Sequence, residues 1–294
     1  LPLPIDENHS IDLAAPLGPR SGCLWEVYLK ARAAVRATLA MPQSSRPANS
    51  SACKQCVWRS CCFAQLKLSQ DLTLLPELGR AARDALHEEF PTLRHLAGAD
   101  VGQYIEGDRT PFPKVGAKLL RRYQRRAALH LQPGAQPYLT RAVQWPTAGV
   151  ELFFDIETDP MRGLCYLHGF VIREGGNVAS ERFEGIFARD TSEAAEREAF
   201  AESMDLFRRH AGALVVHYSK YERTEYRRLA AKYPDVATTR QVEELFSAPR
   251  ALDLYLDVVR SGSEWPTHDF SIKSLAKYCG FAWRDVDPSG ASSI

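Results

Sequence analysis

The order of apolar and polar positions divides the chain into two textures. From Cys23 to Ala40 apolar residues recur at helical spacing (LWEVYLKARAAVRATLA), and a polar stretch, PQSSRPANSS, follows. Residues 1–22 are punctuated by proline and read as irregular. From Asp71 to about Leu131 the pattern is again helical, broken by two Pro/Gly turns, and a Pro/Gly-rich loop (QPGAQPY, then WPTAG) closes this half. From Val150 the pattern changes. ELFFDIET is a compact apolar run with strand character, and CYLHGFVIREGG and NVASERFEGIFA predict two more strands joined across Gly175, Gly176 and Asn177. Asp190 is the expected cap of a helix, with Glu193 in the capping-box position and Phe200, Met204 and Phe207 as its core stripe. ALVVHYS predicts a short buried strand, and the next helix carries Tyr226, Leu229, Ala230 and Tyr233 on one face. Three strands, a helix, a strand and a helix is the opening order of a ribonuclease H-like α/β fold. There a three-strand meander is followed by a crossover to a strand parallel to the first.

Composition narrows the picture only a little. The chain has 294 residues, 45% of them apolar and 25% charged, with a net charge of +1, so any nucleic-acid surface must be local. No apolar run is long enough to cross a bilayer, and the N-terminal residues lack the pattern of a signal peptide. Seven cysteines, four of them between residues 53 and 62, suit a metal or cluster in a reducing, cytoplasmic setting better than a secreted disulfide framework.

Asp155 and Glu157 stand at i and i+2 at the end of the first strand, so both side chains leave the same face. Clustered carboxylates are what hard divalent cations require, and two such ions about 4 Å apart can hydrolyse a phosphodiester. Glu222 follows the second buried strand at the start of a helix, where the inferred topology turns it toward the Asp155/Glu157 pair. A strand-end pair in solvent, and an acid favoured by a helix N-terminus, are the plainer alternatives. His217, Tyr218 and Tyr221 belong either to the core or to a nucleotide cleft. Asp253 and Lys273 are candidates for a structural or a substrate-contacting role.

Two further patterns bear on binding. Cys53-x2-Cys56-x5-Cys62, with Cys61 as an ambiguous neighbour, suits an iron–sulfur cluster, or zinc, completed by a fourth ligand from elsewhere. LLPELGRAARDAL and PFPKVGAKLLRRYQRRAA each place a Pro-x-apolar-Gly turn before a helix. The second carries Lys114, Lys118, Arg121, Arg122, Arg125 and Arg126 with no acid among them, which suggests phosphate contact.

The segment from Val150 to Phe281 resembles the YprB-type ribonuclease H-like exonucleases, a branch of the DnaQ-like (DEDD) superfamily. FFDIET is similar to their first motif. HYSKYE is similar to the second, with Glu222 where relatives usually carry Asp. LDLYLDVVRSG and HDFSIKSLAKY are similar to their connecting region. The resemblance implies a two-metal Mg²⁺ or Mn²⁺ site at Asp155, Glu157 and Glu222, and a DNA partner, single-stranded or with a 3′ end. It also implies a third motif, with Tyr or His and then Asp, expected beyond Ile294. The cysteine triplet resembles the C-terminal one of RecB-like nucleases, which implies a 4Fe–4S cluster with its fourth ligand upstream. The two turns resemble helix-hairpin-helix DNA-binding units, with Glu77 and Lys114 in place of the usual first glycine. The whole order is similar to RecB-like nucleases with a C-terminal ribonuclease H-like domain. The expected divisions are therefore 1–66 (RecB-like remnant), 67–133 (helix-hairpin-helix-like), 134–148 (linker) and 149–294 (exonuclease domain, cut short), with both ends of the chain expected to be cut.

Overall fold

A computed structural model describes residues 12–18 and 21–282. The chain divides into two compact units, Leu1–Leu68 and Ser69–Ile294. In the first, β1 (Pro16–Gly18) pairs antiparallel with β2 (Ser21–Cys23), which leads directly into α1 (Leu24–Ala40). A strand pair therefore occupies part of the stretch expected to be irregular; the rest of 1–22 lies outside the described residues. α1 buries none of its residues, and Trp25, Tyr28, Val35 and Leu39 are exposed. α2 (Arg59–Ser69) closes this unit.

The second unit begins with helices. Asp71 caps a 3₁₀ turn at the Thr73 N–H (2.8 Å) and binds the buried Arg83 guanidinium (2.9 Å). α3 (Arg80–Leu86) and α4 (Leu93–Gly98) follow, and α5 (Ala117–Leu131) packs Leu120, Tyr123, Ala127 and Leu129 inward at helical spacing. The two Pro-x-apolar-Gly turns have the same shape. Glu77 (φ 64°) and Lys114 (φ 63°) are both left-handed, a conformation costly for residues other than glycine. Gly79 and Gly116 are then extended and form the N-caps of α3 and α5.

β3 (Tyr138–Leu139) leads to the main sheet. Its strands are β4 (Val150–Asp159), β5 (Leu164–Glu174), β6 (Arg182–Phe187), β7 (Leu214–His217) and β8 (Ala251–Asp253), in the order β6-β5-β4-β7-β8. β4, β5 and β6 form an antiparallel meander, while β7 lies parallel to β4 and β8 parallel to β7. Gly175 and Gly176, both at positive φ, turn the chain after β5. This is the meander and crossover that the strand and helix order predicts.

α6 (Glu193–Arg209), α7 (Tyr221–Lys232) and α8 (Thr239–Leu245) lay Phe200, Met204, Phe207, Tyr226, Leu229 and Val242 against Leu152, Phe154 and Ile156 of β4. The cap of α6 is Ser192, two residues later than expected. Its hydroxyl accepts the Ala195 N–H (3.2 Å), while Asp190 accepts the N–H of Ser192 itself (2.8 Å). β9 (Ser263–Glu264) pairs with β3, and α9 (Ile272–Tyr278) is the last described helix.

The expected boundary near residues 133–149 does not divide the fold. Arg126 of α5 reaches Glu264 of β9 (2.6 Å), Arg260 reaches Glu77 (2.6 Å), and the Tyr278 hydroxyl donates to the Ala135 carbonyl (2.6 Å). The helical segment and the sheet are one unit.

Glu196 of α6 is fully buried. Burial opposes its charge, but it accepts from the Cys165 N–H (2.8 Å), Arg228 (2.9 Å), the Tyr233 hydroxyl (2.7 Å) and Lys232 (3.0 Å), and its pKa falls to about 2. A carboxylate with a depressed pKa stabilises the fold above its unfolded value and loses that contribution as pH falls through the folded one. Glu196 should therefore contribute about 3 kcal/mol at neutral pH that disappears between pH ~4.5 and ~2. Urea denaturation against pH should show Glu196→Gln less stable at pH 7 and flatter across that window.

Candidate nuclease site

Alternation along β4 turns Phe154 and Ile156 into the core and Asp155 and Glu157 to the opposite face. Parallel pairing with β7, with Phe153 opposite Val216, brings the next turn of chain beside them. There Glu222, in the first turn of α7, is almost completely buried. Its Oε2 has no hydrogen-bond donor and lies 3.9 Å from His217 Nδ1. Burial, and then the charges of Asp155 and Asp253, push the Glu222 pKa up to about 8, with the Asp155 carboxyl close by. Asp155 reaches solvent on one side, yet desolvation by its surroundings raises its pKa; the Ile156 N–H (2.9 Å) and Glu222 work in the other direction. Glu157 is also raised, by desolvation and by Asp155, against the opposing charge of Lys273. Asp253 ends β8, in register with His217. Three carboxylates foreseen in the sequence thus share one neighbourhood, with Asp253 as a fourth.

The remaining expected contacts separate into two groups. Tyr221 is exposed, and its hydroxyl meets Thr158 Oγ1 at the end of β4, so it borders the carboxylates. Lys273, at the start of α9, is exposed on the same side as Glu157. Tyr218 is half-buried instead: its hydroxyl donates to the Phe270 carbonyl (2.5 Å) and its ring packs against Tyr255, so it braces the loop from inside.

On α5, Lys114, Lys118, Arg121 and Arg125 are exposed in and after the second turn. Arg122 is partly buried and near Glu77 (3.7 Å) and Glu264 (3.9 Å). Arg126 corrects the sequence reading. It is 2% exposed, bound to Glu264, Glu77 (3.2 Å) and the Pro76 carbonyl (2.8 Å), and set over the Phe270 ring, so no phosphate can reach it. Its partner Glu264 lies 138 residues away, and no local pattern marks the pair.

Residues 152–294 match the RNase H superfamily. The matching family model is RNase_H_2, and the described part of the match carries the whole five-stranded sheet from Leu152 onward. No match was found among curated proteins or among solved structures. The sheet within the matched segment thus presents Asp155 and Glu157 from its central strand.

Among the described residues, no three His, Cys, Asp or Glu side chains are disposed to hold a metal ion. Asp155, Glu157 and Glu222 nevertheless fit a hard divalent cation as a donor set. All offer oxygen, and Glu222 keeps a buried oxygen without a donor that a cation could engage. The cysteines are all reduced. Cys53 and Cys56 share one turn (Cys56 N–H to Cys53 carbonyl, 3.2 Å), and Cys62 lies in the first turn of α2. Cys53 and Cys62 are half-buried, whereas Cys56 and Cys61 are exposed.

The two arginines of α5 offer a direct contrast. Arg126→Ala leaves Glu264 buried without its cation and should cost about 3–5 kcal/mol in denaturant unfolding. Arg121→Ala should change stability by no more than about 0.5 kcal/mol.

Proposed function

We propose that the chain is a metal-dependent nuclease acting on DNA, digesting single strands from 3′ to 5′ by a two-metal mechanism. The observation that carries the reading is the meeting of Asp155 and Glu222 beside Glu157, with a buried Glu222 oxygen left without a donor. Hydrolysis of a phosphodiester needs an activated water and a stabilised leaving oxygen, and Mg²⁺ or Mn²⁺ held by Asp155, Glu157 and Glu222 would supply both. The chain's own residues prepare the site. Glu222 would hold the cation through its buried, donor-free oxygen, and Asp155 would offer its solvent-facing carboxylate. Lys273 and Tyr221 stand at the rim, within reach of a bound strand. The direction of digestion is carried by the likeness to DEDD exonucleases.

DNA would be held by the turn at Pro113–Gly116 and the exposed face of α5, through Lys114, Lys118, Arg121 and Arg125. The Val115 and Ala117 N–H groups are taken by the Phe112 and Asp108 carbonyls, so the exposed basic side chains would carry the phosphate contact. The matching turn at Pro76–Gly79 is engaged inside the protein by Arg126, Arg122 and Arg260. Cys53, Cys56 and Cys62 would carry a 4Fe–4S cluster with one ligand from outside the described residues, and zinc is the alternative. The bare, unburied α1 accords with a unit that belongs to a larger RecB-like domain.

A second reading is a catalytically inactive, DNA-binding scaffold that carries an iron–sulfur cluster. It is favoured by the lack, among the described residues, of three side chains disposed around one metal point.

Matched 3′-labelled and 5′-labelled DNA and RNA oligonucleotides, incubated with Mn²⁺, separate these readings. Cleavage of DNA by the wild type and its loss in Asp155→Ala, with DNA binding retained, is the expected result; binding without metal-dependent cleavage selects the scaffold. Protein purified without oxygen should be brown, with thiolate-to-iron absorption that Cys56→Ser removes. A colourless protein with stoichiometric zinc would sink the cluster.

A further inference from the structure

The loop that joins β7 to α7 contains a residue in a conformation its side chain disfavours. Ser219 has φ 79°, in the left-handed region that residues other than glycine enter only at a cost. Neither residue beside it offers a reason, because Lys220, the N-cap of α7, makes no side-chain cap. What holds Ser219 is one long-range and one local hydrogen bond. Its N–H donates to Asp253 Oδ1 (2.9 Å), and its carbonyl accepts from His217 Nδ1 (2.8 Å).

Asp253 is itself fixed. It ends β8 directly opposite His217, its Oδ1 also accepts the Leu256 N–H (2.9 Å) as the cap of the π-helical turn Leu254–Arg260, and its own N–H donates to Asp257 Oδ2 (3.1 Å). Tyr218, tied to the Phe270 carbonyl, holds the other side of the loop. Three residues after Ser219 comes Glu222, in the first turn of α7 and 3% exposed. The φ of Ser219 sets the direction in which α7 leaves the sheet, and that direction decides whether Glu222 meets Asp155.

We infer that Asp253 is a positioning residue: by clamping the left-handed Ser219 backbone, with His217 on the opposite side of the same peptide turn, it aims Glu222 at Asp155. The inference rests on the reading of Asp155, Glu157 and Glu222 as a metal site, and it assigns Asp253 a task other than ligation. A ligand in this site would draw its strength from carboxylate charge, whereas a clamp needs only an oxygen that accepts.

That difference makes the test. The full chain is compared as wild type, Asp253→Ala and Asp253→Asn. Amide hydrogen exchange is followed over residues 217–224, and Mn²⁺ binding is followed by titration. Asp253→Ala should speed exchange across this segment and weaken Mn²⁺ binding by about tenfold or more, as loss of a supporting hydrogen bond behind a ligand does. Asp253→Asn, whose Oδ1 still accepts both N–H groups, should keep slow exchange and most of the Mn²⁺ affinity. Two results overturn the inference: unchanged exchange in Asp253→Ala, or Asp253→Asn as poor as Asp253→Ala in Mn²⁺ binding while the Ser219 amide stays protected, which would make Asp253 a ligand. A wild type that binds no Mn²⁺ refutes the metal site instead, and the exchange comparison alone then judges the clamp.

Discussion

Parallel pairing of β4 with β7 is the contact from which the site follows. The register, Glu151 opposite Leu214 and Phe153 opposite Val216, lets β7 stop where β4 still runs on through Asp155 and Glu157. The chain leaving β7 must turn there, and it turns into α7 with Glu222 in its first helical turn. Carboxylates from two elements are thereby pressed together in a packed environment, where burial raises the pKa of each and Asp155 adds to the rise at Glu222 and Glu157. A fold gathers like charges at a cost, and that cost is most readily understood where a cation or a reacting group is to relieve it.

The same unit contains a different treatment of buried charge. Glu196 is surrounded by four donors and stays ionised down to a pKa of about 2, while Glu222 has an oxygen with none. Arg126 and Glu264 likewise pair between the helical segment and the β3–β9 ribbon, although the Arg126 Nη2 has no partner. The paired groups hold the architecture, and the unpaired one marks where chemistry is expected. His168, buried and held neutral with its pKa down to about 3, belongs to the first kind: its Nδ1 meets the Tyr226 hydroxyl, which in turn donates to Ser203.

The two Pro-x-apolar-Gly turns show how one local shape can serve two ends. Both have a left-handed second residue and an extended glycine cap, so their backbones are interchangeable. Glu77 in the first pairs with the buried Arg126, the partly buried Arg122 and the exposed Arg260, and the turn becomes a structural joint. Lys114 in the second is exposed and continues into the outward row Lys118, Arg121 and Arg125. Charge at one position separates a structural turn from a candidate phosphate-binding one.

Period and punctuation in the sequence sufficed for the strand meander, the crossover, the core faces of α6 and α7, and the common face of Asp155 and Glu157, because each of these is set by neighbours within a few residues. The cap of α6 was displaced by two positions, since Asp190 and Ser192 are both good acceptors and only the path of the chain chooses between them. Decided by tertiary structure alone were the burial of Arg126 against Glu264, the inward use of Tyr218, the union of the helical segment with the sheet, and the clamp of Asp253 on Ser219. Each depends on residues far apart in the chain meeting at hydrogen-bond distance, and no local pattern of apolar and polar positions encodes where such partners lie.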